Sequence, residues 1–125
     1  GFSPLHYAAK AGKEAMVRVL LDAGANVRVV EEDGPTPLHV AAQHGRDAAA
    51  RLLLDAGADV DEVEDMGCTA LHLAADEGRD AVVRTLLDAG ADIEAVNLEG
   101  ATALHIGAAQ DREGVVRILV EAGAD

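Results

Sequence analysis

A four-residue phrase returns at a fixed interval, and that interval restricts the possible folds more than any other feature of the chain. Ser3-Pro4-Leu5-His6, Thr36-Pro37-Leu38-His39, Thr69-Ala70-Leu71-His72 and Thr102-Ala103-Leu104-His105 begin 33 residues apart. Gly1, Gly34, Gly67 and Gly100 keep the same step, as do Gly24, Gly57, Gly90 and Gly123, and no insertion interrupts the register. A constant period of this length describes an array of similar units, each too small to bury its own apolar stripe, so that neighbours must stack.

Within each unit the residues predict two short helices and a turn. Ser3, Thr36, Thr69 and Thr102 are good N-caps, and Pro4 and Pro37 occupy the first helical position, where a missing N–H costs nothing. This first helix, A, runs through an Ala-rich stretch such as Leu38 to His44 and stops at Gly12, Gly45 or Gly78, residues suited to a left-handed C-terminal conformation. The second helix, B, follows at once. Its apolar stripe is Val82, Val83, Leu86 and Leu87 in the third unit, Ala49, Ala50, Leu53 and Leu54 in the second, and Val115, Val116, Leu119 and Val120 in the fourth. Gly24, Gly57 and Gly90 end helix B, and a polar stretch such as Ala58 to Cys68 leads to the next cap as an extended, hairpin-like finger.

The Thr-Pro-Leu-His tetrad at 36–39, Ala41-Ala42 followed by Gly45, and Leu52-Leu53-Leu54-Asp55-Ala56-Gly57-Ala58-Asp59-Val60 resemble the ankyrin repeat family, over essentially the whole chain. The resemblance implies an all-α solenoid of stacked helix-turn-helix units with projecting β-hairpin-like fingers. It implies one domain over residues 1–125, with units at 1–33, 34–66, 67–99 and 100–125. Members of this family bind other proteins through the finger tips and the exposed, concave face of helix A, so a non-catalytic interaction module is expected.

Composition narrows the partners. The formal charge of −13 argues against nucleic acid, whose binding depends on Lys and Arg displacing counterions, and against an anionic membrane surface. Half of the residues are hydrophobic, but Phe2 and Tyr7 are the only aromatics, so the core is built of Ala, Leu and Val in thin layers. The lone Cys68 cannot form an internal disulfide, and no apolar run approaches the ~18 residues of a spanning helix. An intracellular, cytoplasmic chain is expected.

The chemistry-bearing residues have structural explanations. His6, His39, His72 and His105 tempt a metal hypothesis, but stacked helices lie ~8 to 10 Å apart whereas two zinc-bound nitrogens must lie within about 4 Å of each other. Each imidazole is better assigned to the cap hydroxyl three residues earlier, and the resemblance implies a link to the next finger. His44, off the period, is expected at the surface. Cys68 stands four residues before His72, but a thiol nucleophile needs a base free to accept its proton, and His72 is committed to the fold. Neither Gly-rich phosphate-cradling spacing occurs. Asp76 and Glu77 are adjacent on a helix and therefore point apart. No catalytic residue, metal ligand or cofactor site is assigned.

The charges are sorted unevenly. Arg18, Arg51, Arg84 and Arg117 follow the period, as do Lys13, Arg46, Arg79 and Arg112, so that eight of the ten basic residues fall on helix B, leaving Lys10 and Arg28 elsewhere. Each Arg of the first set follows Glu14, Asp47, Asp80 or Glu113 by four residues, a spacing that supports a helix by ~0.2 to 0.5 kcal/mol per pair. Acids without such partners collect in the fingers, as Glu31-Glu32-Asp33 and as Asp61, Glu62, Glu64 and Asp65, with Asp76 and Glu77 beside them. A negative field there would steer a basic or mixed basic and apolar protein segment. The family's contact positions, carried over by register, are Glu32, Asp33, Pro35, Asp65, Met66, Cys68, Leu98, Glu99 and Ala101 from the fingers. From helix A they are Lys10, Ala11, Gln43, His44, Asp76, Glu77, Ala109 and Gln110.

Departures from the pattern carry their own expectations. Arg28, Asp61 and Glu94 stand where the family often has a hydroxylatable Asn, so that modification is not expected. Gly107, Asp111 and Gly114 interrupt the fourth unit, and helical glycine costs ~0.5 to 1 kcal/mol relative to alanine, so this unit should be the loosest. Val17, Leu20 and Leu21 resemble interior residues, so the terminal units look uncapped. Such units suggest a piece of a longer array and end-to-end self-association. The uninterrupted period also fits a designed or consensus-type scaffold without a natural partner; Gly107, Asp111, Gly114 and the irregular Val29-Val30 finger oppose it.

Overall fold

Four short helix pairs follow one another along the chain. A computed structural model describes residues 3–30 and 34–124, and within them there are eight helices and no strand. They are α1 (Pro4–Ala11) with α2 (Glu14–Asp22), α3 (Pro37–Gln43) with α4 (Asp47–Asp55), α5 (Ala70–Glu77) with α6 (Asp80–Asp88), and α7 (Ala103–Ala109) with α8 (Glu113–Glu121). The odd-numbered helices pack on one another in chain order to form one layer, and the even-numbered helices form the second.

Each odd helix starts for the reason expected. Ser3, Thr36, Thr69 and Thr102 lie in extended backbone, and their hydroxyls accept from the main-chain N–H of the histidine three residues on. That histidine returns the bond: its ring nitrogen accepts from the cap residue's own N–H, so His takes the place that Glu or Gln fills in an ordinary capping box. Even helices begin without a side-chain cap, on Lys13, Arg46, Arg79 and Arg112.

The turn between the two helices of a pair needs a left-handed residue, which glycine supplies at Gly12 (φ 68°), Gly45 (φ 71°) and Gly78 (φ 70°). Glycine also clears space for the next pair. A Cβ on Gly12 would lie 2.8 Å from Arg46 Cδ, and one on Gly45 or Gly78 would lie 2.9 Å from Arg79 or Arg112. Through Nε, Arg46 donates to the Lys10 carbonyl (2.9 Å), Arg79 to Gln43 (3.1 Å) and Arg112 to Asp76 (3.0 Å). The arginines that open the even helices of one pair thus hold the carboxyl end of the odd helix of the previous pair, where the helix dipole favours a cation.

The core is one continuous cluster along the stack. Leu5, Leu38 and Leu71 repeat in the odd layer, and Leu53, Leu86 and Leu119 in the even layer beside Val17, Ala50 and Val83, all buried. Burying each such Leu or Val side chain contributes about 1.5 to 3 kcal/mol, so the stripes at 49–54 and 82–87 drive the stacking. Alanines at 41, 42, 74 and 75 are fully covered, which lets the odd helices approach closely.

One sequence expectation is corrected. Three of the four acid-to-arginine pairs form, at Arg18–Glu14 (3.0 Å), Arg51–Asp47 (3.2 Å) and Arg117–Glu113 (3.1 Å). Arg84 makes no such pair with Asp80 among the described residues. The Asp80 carboxylate lies instead against Gly114, where a Cβ would overlap it. Gly114 and Gly107 therefore answer to packing: a Cβ on Gly107 would come within 3.2 Å of Val115 Cγ1. The helix containing Gly107 continues unbroken from Ala103 to Ala109. No helix among the described residues is long and apolar enough to cross a membrane.

Candidate interaction surface

His6, His39 and His72 tie their helix pairs to the finger that follows. Nδ1 of His39 accepts from Thr36 N (3.0 Å) and from the Thr36 hydroxyl (2.8 Å), and Nδ1 of His72 does the same with Thr69 (3.0 and 2.9 Å). With Nδ1 used as an acceptor, the proton sits on Nε2, which donates across to main-chain carbonyls of the next finger. His6 donates to Pro35 O (2.8 Å), His39 to Glu62 O (2.9 Å) and Cys68 O (3.1 Å), and His72 to Ala101 O (3.0 Å). Burial lowers the pKa of His39 and of His72, because the charged ring would lose its hydration, and the finger carbonyls oppose that shift only in part.

The fingers so held are tight turns without a strand ladder. Glu64 N donates to Cys68 O (3.0 Å) and Gly67 N to Glu64 O (2.9 Å); Asn97 and Gly100 repeat both bonds with Ala101 and Asn97. A side-chain oxygen completes each turn. Glu64 Oε1 accepts from Met66 N (2.9 Å) and Cys68 N (2.8 Å), and Asn97 Oδ1 accepts from Glu99 N (2.9 Å) and Ala101 N (3.1 Å). Leu98 N donates to Met66 O (3.1 Å), which joins the two tips, and Gly67 leaves the room for it, since a Cβ there would lie 3.0 Å from Leu98 N.

Most expected contact positions fall along the finger tips and the carboxyl ends of the odd helices. Lys10 and Ala11 are exposed at the end of α1, Gln43 at the end of α3, and Ala109 and Gln110 at the end of α7, while Asp76 and Glu77 are half-buried at the end of α5. Asp65, Met66, Leu98 and Glu99 are exposed at the tips, with Met66 at 51% and Leu98 at 74%. Pro35, Cys68 and Ala101 are half-buried behind them, their carbonyls engaged by histidines. His44 departs from expectation: it is half-buried as the C-cap of α3, and its Nδ1–H donates to Val40 O (3.0 Å). Glu32 and Asp33, with Glu31, lie outside the described residues.

Between α5, α7 and the fingers in front of them lies a cavity of about 490 Å³. Met66, Cys68, Asp76, Glu99, Ala101, Ala109 and Gln110 line it, so contact positions from two helices and two fingers converge there. The lining also includes Leu73, Asn97 and Ile106, which register alone did not single out. Their signal was present in size: Leu73 and Ile106 are bulkier than Val40 at the equivalent place, and Asn97 is the turn-forming side chain of its finger.

Cys68 is not set up as a nucleophile beside His72. Burial raises its thiol pKa, Glu64 and Asp76 act in the same direction, and the Asn97 amide at 3.7 Å from Sγ opposes them. Both nitrogens of His72 are engaged elsewhere, as acceptor to Thr69 and donor to Ala101.

A stack of paired helices joined by capped, histidine-braced turns defines a helical repeat solenoid, and a family model described as ankyrin repeats (3 copies) matches residues 1–64 and 56–125. The chain belongs to the ankyrin repeat family. Comparison with curated proteins returned no match. Ankyrin repeats are generally protein–protein interaction modules.

Proposed function

We propose that this chain is a non-catalytic module that binds a partner protein through its finger tips and the carboxyl ends of its odd-numbered helices, taking a basic or mixed basic and apolar segment. The observation that carries this reading is the convergence of Met66, Cys68, Asp76, Glu99, Ala101, Ala109 and Gln110 on one concavity. Charge supports it. Asp65, Asp76, Glu77 and Glu99 belong to this side; of the eight arginines, Arg18, Arg51 and Arg117 pair with intrahelical acids on even helices, and Arg46, Arg79 and Arg112 each spend a guanidinium bond on an odd-helix carbonyl. A field of that sign raises the encounter rate with cationic segments and weakens with salt.

The test is capture of binding proteins at low and high salt by the wild-type chain and by a variant carrying Asp65→Ser, Asp76→Ser and Glu77→Ser, followed by titration of each purified protein. Affinities that fall at high salt and in the variant are expected. Identical affinities for both forms would remove the acidic-surface reading.

A further inference from the structure

We infer that the cavity between α5 and α7 anchors the partner segment: it takes in one apolar side chain of an extended stretch while a neighbouring Lys or Arg of that stretch pairs with Asp76 and Glu99. This rests on the interaction reading above and narrows it to one junction of the stack. At the register position of Leu73 and Ile106, Val40 is only 2% exposed, while Leu73 and Ile106 are both left half-buried. The surface between α5 and α7 is therefore open where the equivalent side chain of α3 is covered.

The chemistry of the lining selects the occupant. Two polar groups of the lining are already used, His72 as donor to Ala101 O and Asn97 Oδ1 as acceptor of two main-chain N–H groups, whereas His105 and Gln110 are exposed at the α7 side. A polar side chain entering beside Leu73 would lose water and find His72 and Asn97 Oδ1 already engaged, which costs free energy, whereas an aliphatic or aromatic one meets Leu73, Ile106 and the exposed flank of Met66. Carboxylates of Asp76 and Glu99 are in the lining, and neither Lys nor Arg is. Arg112 donates to the Asp76 carbonyl and makes no ion pair with the Asp76 carboxylate among the described residues. An apolar side chain next to a cation matches both features, and an acidic segment would be repelled.

The experiment is selection of a random display library of short linear peptides on the folded 125-residue chain, then titration of the enriched peptides as synthetic probes. Enriched sequences are expected to place one Leu, Ile, Met or Phe beside Lys or Arg. Ala109→Trp, which fills the cavity from an exposed position, should weaken them by about thirtyfold, the loss of an anchor contact. Asp76→Asn with Glu99→Gln, surface changes that leave the backbone bonds intact, should weaken them and flatten their salt dependence. Arg84→Gln on the opposite layer should change neither. Failure to enrich any peptide, or peptides without the apolar and basic pair, would overturn the anchor. Peptides that survive Ala109→Trp but are lost in Gln43→Trp would overturn it too and leave the broader surface reading standing. Peptides indifferent to both would sink the two together.

Discussion

The α5/α6 and α7/α8 pairs have nearly the same sequence pattern, yet their repeated residues live in different surroundings. His72 is 1% exposed, with both ring nitrogens engaged, and Leu71 beside it is buried. His105 keeps its bonds to Thr102 but is exposed, and no finger carbonyl accepts from its Nε2 among the described residues. Leu104 is half-buried where Leu71 is fully covered. Register therefore encodes local conformation faithfully, while burial and bracing depend on whether both faces of a pair are packed. His39 and His72, each flanked on both sides, share the same Nδ1 bonds to the cap residue and each donate from Nε2 to a carbonyl of the next finger, His39 to two of them.

The largest expected consequence separates the two histidines. His72→Ala would orphan the buried Thr69 N–H and leave the Ala101 carbonyl only its bond from Asn97 N, and should cost about 1 to 3 kcal/mol for the orphaned donor, with the emptied ring site adding to that loss. His105→Ala loses an exposed cap interaction and should cost under about 1 kcal/mol. Urea unfolding of the two variants measures the gap, and equal losses would show that flanking does not govern the role of this residue.

That contrast also marks how far the sequence could be read. Helix starts were legible because a hydroxyl, a proline and a histidine at fixed offsets have local causes, and so were the left-handed glycines. The histidine bridges to the next finger were implied by the family resemblance. What one unit's residues cannot show is what the next unit places against them. The arginines at 46, 79 and 112 were visible as a period, but their hold on Lys10, Gln43 and Asp76 carbonyls depends on the offset between stacked pairs. Gly107 and Gly114 looked like flaws in a helix until Val115 and Asp80 were seen to occupy the space. Asp80 was assigned to Arg84 by intrahelical spacing, and an interhelical position won. Of the cavity, register supplied the rim, while its depth arises from side chains of two adjacent pairs.

A smaller effect distinguishes the turns. Asp111 is the only described non-glycine residue with positive φ, at 59°, in the place held by Gly78 at 70° in the preceding pair. Left-handed backbone costs a residue with a Cβ roughly 1 to 2 kcal/mol, with Asp among the more tolerant. Gly78→Ala should therefore destabilise by about 1 to 2 kcal/mol, and also displace Arg112 from the Asp76 carbonyl. Asp111→Gly should stabilise by up to about 1 kcal/mol. Thermal melts of both variants check the signs. A destabilised Asp111→Gly would mean that this carboxylate makes a contribution larger than its backbone strain.

The smallest effect is a dependence on pH that the flanked histidines should confer. His39 and His72 have folded-state pKa values lowered by burial, so at mildly acidic pH the unfolded chain binds protons that the folded chain refuses. Their contribution to stability is intact above the ordinary histidine value of about 6.5 and falls as pH drops from there towards the lowered folded values. One such group contributes a slope of at most about 1.4 kcal/mol per pH unit. Acidification has an opposing effect on a chain of net charge −13, whose self-repulsion relaxes as pH approaches the isoelectric point near 4.5. The net slope in the wild type is thus a difference of two terms, and His39→Gln isolates one of them. Glutamine can serve the same capping-box position without titrating, so the variant should lose stability less steeply than the wild type between about pH 7 and pH 5.5. Parallel slopes in that interval would mean that His39 takes up its proton in the folded chain as readily as in the unfolded one, and the buried Nε2–H to Glu62 and Cys68 bridge would no longer explain its place in the stack.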